Sequence, residues 1–218
     1  MTTVLLTGFG PFPAAPLNPT GALATALANR QSRTSPHVRR VAHVFETSYA
    51  AVDRDLSPLL ARERPAALIM FGLAAQSRRI RIETLARNAL STITPDASGH
   101  LPQAVMIAPG PEALRLPVAA SSLAAAVRAA RLPVTVSGDA GAYLCNYLCW
   151  RAVEATRYLA APRLIAFVHV PKIYGPFRSL QGDTRLHRRP PPGSSLFVFD
   201  DLVLAGEAIV CAALSRRH

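Results

Sequence analysis

The strongest constraint on the fold is a series of short apolar runs, each stopped by glycine or proline, with segments of helical character between them. Val4-Leu5-Leu6-Thr7 ends at Gly8, Ala66-Ala67-Leu68-Ile69-Met70-Phe71 ends at Gly72, and Leu164 to Val168 is stopped by Pro171. Apolar runs of this length between such breakers read as buried strands. After the first of them, Asn18-Pro19-Thr20 opens an alanine-rich segment that runs to Asn29. Asn at the cap and Pro at the first helical position suit a helix start. Val38 to Phe45 reads as a second strand and Tyr49 to Arg64 as a second helix. Strand, helix, strand, helix, strand is the rhythm of an α/β domain built on a parallel sheet.

The second half continues the pattern with interruptions. Ile80, Ile82 and Leu85 interleave with Arg81, Glu83 and Thr84, a half-buried alternation. Asn88 to Gln103, with Pro95, Asp96, Gly99 and Pro102, reads as an excursion. Leu116 to Arg131 is expected to be a helix, Val134-Thr135-Val136 a strand, Gly138-Asp139-Ala140-Gly141 a turn, and Ala142 to about Leu159 a helix. Pro176 to Pro192 is basic and proline-rich and reads as an irregular surface loop. Phe199 to Arg216 has apolar residues at helical spacing, with Asp200-Asp201 suited to a helix N-terminus. No repeat or linker divides the chain, so one domain is expected.

Composition narrows the class. Half of the 218 residues are apolar, enough for a core without disulfides or metal clips. That excludes a generally disordered chain and a disulfide-dense mini-domain. No stretch has the length of a membrane span, and the N-terminus lacks the basic region of a signal peptide. The net charge of +11 suggests nucleic acid at first sight, but Lys172 is the only lysine and the arginines are scattered in short pairs such as Arg39-Arg40, Arg78-Arg79 and Arg188-Arg189. Without a basic block or a nucleic-acid motif, no specific nucleic-acid binding is expected. The three cysteines, Cys145, Cys149 and Cys211, indicate a reducing compartment.

Three side chains stand out chemically. Cys145 falls in the first turn of the helix that follows Gly138-Asp139-Ala140-Gly141, where the partial positive charge of a helix N-terminus favours a nucleophilic thiolate. The plainer alternative is a small buried hydrophobe. Cys149, one turn on, and Cys211, on the apolar face of the last helix, are expected to be packing residues. Zinc is not expected, because the cysteine pair sits inside a helix and has no second pair. His169 ends an apolar strand, where catalytic groups gather in open α/β sheets; it either relays a proton or is a hydrogen-bonded core histidine. His43, on the second strand, is the alternative imidazole, ahead of His37, His100, His187 and His218. Glu83 lies among apolar neighbours and needs a partner. That partner is either one of Arg78, Arg79, Arg81 and Arg87, or an imidazole that Glu83 orients as the third member of a triad. The turn Gly8-Phe9-Gly10-Pro11-Phe12-Pro13 lacks the patterns that cradle phosphates; its two phenylalanines suit an apolar ligand wall.

Four segments resemble the pyroglutamyl peptidase I (pyrrolidone-carboxylate peptidase) family of cysteine peptidases. Gly8-Phe9-Gly10-Pro11-Phe12 with Asn18-Pro19-Thr20 is similar to its opening signature Gly-Phe-x-Pro-Phe and Asn-Pro-Ser/Thr. Gly72-Leu73, then Ile82-Glu83 to Asn88 and Pro95-Asp96, is similar to its glutamate segment. Ala140-Gly141-Ala142-Tyr143-Leu144-Cys145-Asn146 is similar to its cysteine signature, and Phe167-Val168-His169-Val170-Pro171 to its histidine segment. Asp200 to Ala208 is similar to the family's final Asp-Asp-Leu-Val-x-Ala-Gly-Glu-Ala. The chain departs from the family at Pro13-Ala14, where Gly-Gly is usual, at Ala75-Gln76, and at Ile93, where many members carry arginine.

The resemblance implies a single three-layer α/β/α domain over residues 1–218, around a mostly parallel twisted sheet. It implies Glu83, Cys145 and His169 as a catalytic triad that removes N-terminal pyroglutamyl residues from peptides. It further implies no cofactor or metal, a homodimer or homotetramer, and, with the cysteine usage, a cytoplasmic protein with no membrane or nucleic-acid partner. A neutral lactam suits an apolar slot, with Phe9, Phe12, Tyr143 and Leu144 as walls and Asn18 holding the loop or the ligand. Two rivals stay open at this point: a related amidase with an altered pocket, and a silent binding protein on the same fold.

Overall fold

The computed structural model describes residues 2–13, 15–30, 37–157, 161–175 and 197–215. Six strands form the main sheet: β1 (Thr2–Phe9), β2 (Val38–Phe45), β3 (Ala67–Leu73), β4 (Ile80–Glu83), β7 (Val134–Ser137) and β8 (Leu164–Val170), in the order β2-β1-β3-β8-β4-β7. Neighbours run parallel except β4 and β8, which are antiparallel. A separate antiparallel pair joins β5 (Leu85–Arg87) to β6 (Ala113–Arg115).

Among the described residues five helices cover the sheet: α1 (Thr20–Asn29), α2 (Tyr49–Glu63), α3 (Ala120–Ala129), α4 (Leu144–Thr156) and α5 (Phe199–Leu214). The two faces bury separate cores. Leu6, Ile69, Phe71, Ile82 and Val168 pack with Leu23 and Leu27 of α1, Leu123 and Val127 of α3, and Leu202 and Ile209 of α5. Leu5, Leu68, Met70, Ile165 and Phe167 pack with Leu56 and Leu59 of α2 and Leu148 and Trp150 of α4. Alternate residues of each central strand therefore feed opposite layers, which requires strands that are apolar throughout. This is the mostly parallel α/β arrangement expected from the sequence.

Local chemistry moves several boundaries. Helix α1 begins at Thr20 with Pro19 as its cap residue, while Asn18 Oδ1 accepts from Thr20 N at 3.1 Å. Helix α3 starts at Ala120, later than expected, and Pro117 pushes the preceding Leu116 out of the helical region. That stretch instead bonds outward, Leu116 N to Thr84 O and Ile165 N to Pro117 O. Helix α4 ends at Thr156, and Leu159 lies outside the described residues. Cys211, expected in the core, is exposed: α5 buries Leu202, Val203, Ala205, Gly206, Ile209 and Val210 and turns Leu204 and Cys211 outward. The apolar stretch is wider than the face it buries. The segment 176–192, with His187, and also Ala14, Arg216 and His218, fall outside the described residues.

Candidate active site

The site assembles where β3, β4 and β8 meet the start of α4. Because β4 runs antiparallel to β8, Arg81 stands opposite His169 and Glu83 opposite Phe167. Side chains two apart on a strand share a face, and diagonal cross-strand neighbours lie within reach of long side chains. Arg81, Glu83, Phe167 and His169 therefore emerge together on the side covered by α4. Glu83 is completely buried and His169 nearly so. His169 Nδ1 lies 2.7 Å from Glu83 Oε1, and the Phe167 ring meets the imidazole edge-on at 5.0 Å.

Cys145 is the second residue of α4 and reaches this pair from above. Its side chain acts electrostatically on His169, and with Nδ1 engaged by Glu83 Nε2 is the ring nitrogen left for the thiol. Its sulfur rests against Gly72 on β3: a Cβ at Gly72 would fall 2.8 Å from Cys145 Sγ. The turn before α4 is shaped by Gly141, whose φ of +84° suits glycine, and by Asp139 Oδ1 accepting from Gly141 N at 2.9 Å. Next to the thiol, buried Asn146 accepts from Arg87 N at 2.7 Å and donates to the carbonyls of Arg87 and Ala89 at 2.8 and 3.0 Å. This fixes the first turn of α4 to β5.

The electrostatics follow from burial and partners. Burial alone lowers the His169 pKa, but the Cys145 and Glu83 side chains outweigh it and raise it to about 9. Burial pushes the Cys149 thiol well above its ordinary range. Of the four arginines considered for Glu83, Arg81 makes the contact, with Nε 3.0 Å from Oε1. His43 sits away from this cluster, 3.5 Å from Asp55 and against the Phe45 ring.

The residues expected to line an apolar slot occupy different layers. Phe12 and Tyr143 come together with ring centroids 6.3 Å apart, and Tyr143 also meets Tyr49 edge-on. Phe9 and Leu144 are buried in the core beneath. Asn18 is engaged within the loop, donating to Gly10 O at 3.1 Å and accepting from Thr20 Oγ1 at 2.9 Å. A cleft of about 360 Å³ is lined by Gly10, Pro11, Phe45, Thr47, Ala97 and Ser98 among others; Gly10 and Pro11 lie between the two phenylalanines in sequence, but neither Phe9 nor Phe12 lines it. The excursion after β5 is tied to the same region. Tyr143 OH donates to Pro95 O at 2.9 Å. Buried Asp96 accepts from Tyr49 N, Ser98 N, Ser98 Oγ and His100 N. Of these ties, Asp96 was visible in sequence only as part of a family pattern, since a lone aspartate in a proline-rich stretch carries no signal of burial. Ile93 is 88% exposed. Among the described residues no group of three or more His, Cys, Asp or Glu is placed to hold a metal, and no helix is long and apolar enough to cross a membrane.

The family model described as pyroglutamyl peptidase matches residues 2–183. A pyrrolidone-carboxylate peptidase of Cupriavidus taiwanensis is 30% identical over 100% of this chain and 95% of its own length. One from Gloeobacter violaceus is 32% identical over 77% of this chain and 80% of its own. The solved pyrrolidone carboxyl peptidase of Thermococcus litoralis superposes with a TM-score of 0.83 at 26% identity, over 99% of this chain and 94% of that one. A Pyrococcus furiosus structure shares the fold with a TM-score of 0.84 at 24% identity, each chain fully covered.

Proposed function

The chain belongs to the pyroglutamyl peptidase family, and from this we infer that it is a cysteine peptidase releasing an N-terminal pyroglutamyl residue from peptides, with Cys145, His169 and Glu83 as its catalytic triad. The observation that carries the residue assignment is the contact of Glu83 Oε1 with His169 Nδ1 at 2.7 Å, with Cys145 Sγ seated against Gly72, the residue paired with His169 on the next strand.

In this reading His169 takes the thiol proton on Nε2, and the Cys145 thiolate attacks the carbonyl carbon of the pyroglutamyl amide. The carbonyl electron pair moves onto oxygen. N–H groups in the first turn of α4, which have no intrahelical acceptor, stabilise that oxyanion, a role worth about 3–4 kcal/mol per donor in comparable sites. Collapse expels the peptide amine, which takes the proton from His169 and leaves a thioester on Cys145. Water then attacks the thioester while His169 accepts its proton. Pyroglutamate departs and the thiol is restored. Glu83 holds the ring with Nδ1 toward itself and stabilises the imidazolium.

Phe12 and Tyr143, with Phe9 and Leu144 beneath and Asn18 fixing the loop, are proposed to face the lactam ring. A free ammonium would be poorly solvated against these rings, which accounts for rejection of ordinary N-termini. We read residues 1–218 as one domain acting in the cytoplasm as a homodimer or homotetramer, with no cofactor. Light scattering checks the assembly. Turnover of a pyroglutamyl chromogenic amide, against prolyl and acetyl amides, tests the function: preference for the pyroglutamyl amide is expected, and no turnover of it would overturn the assignment.

A further inference from the structure

We propose that Arg81 is a positioning residue of this site: its guanidinium, braced on the turn that leads into α4, holds the Glu83 carboxylate against His169 and remains its counter-charge while the imidazole gains and loses a proton. This rests on the triad reading above.

The register supplies the placement. Arg81 is the direct cross-strand neighbour of His169 and lies two residues from Glu83 on the same strand and face. Its Nε is 3.0 Å from Glu83 Oε1, the oxygen that also meets His169. Its terminal nitrogen reaches the other way, donating to Ser137 Oγ at 2.8 Å and to the Asp139 carbonyl. One planar group thus links the carboxylate to the turn that delivers Cys145. The Glu83 side chain is fully buried, and its Oε2 has no hydrogen-bond partner among the described residues. The carboxylate is therefore held through Oε1 alone.

A buried anion needs a partner at every stage. His169 supplies a positive charge only while it is imidazolium. Once the proton has gone to the leaving amine, Glu83 faces a neutral ring, and Arg81 still carries its charge. The same charge opposes the imidazolium and so favours proton release from it. Among the described residues, the other titratable groups facing the pair are Cys145 and Cys149 on α4. Behind Arg81 lies the turn of Asp139, itself 3.5 Å from Arg87.

The test compares Arg81→Gln and Arg81→Lys in the full chain. It measures kcat and KM on a pyroglutamyl chromogenic amide and the rate of Cys145 alkylation by iodoacetamide against pH. Arg81→Gln is expected to lower kcat by about tenfold or more with KM within about twofold, and to move the alkylation profile up by about half a pH unit or more, since a removed positive charge favours the protonated forms. Arg81→Lys keeps the charge without the fork and is expected to leave the profile in place while losing part of kcat. A folded Arg81→Gln protein with unchanged kcat and an unmoved profile overturns the proposal, as does a loss confined to thermal stability. If Arg81→Gln does not fold, Ser137→Ala removes one brace, and wild-type kcat in both it and Arg81→Lys overturns the proposal. Alkylation needs no substrate, so a wild-type protein inactive on the amide would refute the proposed function while the Arg81 profile is still read.

Discussion

Glu83 and His169 are 86 positions apart in the chain, yet their side chains meet at 2.7 Å. Antiparallel pairing of β4 with β8 brings this about. Strand β4 runs back along β8, so Glu83, its last residue, lies inward from the end of β8 that carries His169. Here Glu83 pairs with Phe167, two residues before His169 on the same face. The C-terminal end of β8 therefore carries the histidine, while the carboxylate comes up from beside it, buried and already aimed at the ring.

Replacing Glu83 by Gln should lower kcat by about 10²-fold or more and change KM little, since an amide can still accept from the ring but cannot stabilise an imidazolium. Steady-state kinetics on the pyroglutamyl amide check it. Full activity would mean that the carboxylate serves only its arginine.

The three cysteines should separate cleanly. Cys145→Ser should abolish turnover and keep the fold, because a serine hydroxyl is far less ionised than a thiol. Cys149 is fully buried in the core beneath α4, so Cys149→Ser should cost stability, about 1–3 kcal/mol for an unsatisfied hydroxyl, and retain turnover. Cys211 is exposed, and Cys211→Ser should be neutral in both. Urea melts alongside the assay distinguish the three. Inactivity of the Cys149 variant alone would move the nucleophile.

The His169 ring should hold its proton above the ordinary imidazole range, with a folded pKa of about 9, because the Cys145 and Glu83 side chains outweigh burial. A raised histidine pKa by itself adds stability that is complete below pH 6.5 and is lost as pH rises through about 9. The negative Cys145 side chain that does most of the raising has given up a proton of its own, so the two changes offset one another and melting should depend weakly on pH across that window. Cys145→Ala removes the largest raising influence, and the His169 ring should then titrate lower. An NMR titration of the ring in both proteins checks it, and an unchanged midpoint would assign the shift to Glu83 alone.

Much of this arrangement was written in the sequence at short range. A cysteine just after Gly138-Asp139-Ala140-Gly141 and a histidine closing an apolar strand are local patterns, and both sit at the expected ends of α4 and β8. What pairs with Glu83 was not legible: four arginines lie nearby in sequence, and the choice of Arg81 depends on strand direction and register, which periodicity does not encode. The β5–β6 pair was missed because three-residue strands leave no periodic trace. Cys211 misled for another reason. Helix α5 is apolar beyond its buried face, so the pattern alone cannot say which side meets the sheet.

Phe12→Ala should raise KM for the pyroglutamyl amide and reduce preference over the prolyl amide, because the Phe12 ring stacks beside Tyr143 with centroids 6.3 Å apart. The lost contact is worth about 2 kcal/mol if the lactam buries against the ring. The triad is untouched, so the Cys145 alkylation rate should stay at its wild-type value. An unchanged KM and selectivity would move the lactam pocket away from this ring.

Gly72→Ala tests how tightly the thiol is seated. A methyl at Gly72 would fall 2.6 Å from Phe167 Cζ and 2.8 Å from Cys145 Sγ, too close for either to remain in place. The Phe167 ring is fully buried, and close-packed interiors yield little. The sulfur, at the edge of the core, is the neighbour that can swing. Overpacking should cost about 1–3 kcal/mol, while a nucleophile displaced by about 1 Å should lose about 10²-fold in kcat. Gly8→Ala is the control, since its Cβ would collide with the backbone carbonyl of Thr20. It should destabilise strongly, and whatever protein remains folded should keep its alkylation profile. Adding Phe167→Leu to Gly72→Ala should recover part of both stability and kcat by removing the ring carbons that crowd the methyl. A double variant no better than Gly72→Ala alone would show that the glycine is needed for a reason other than space beside Cys145.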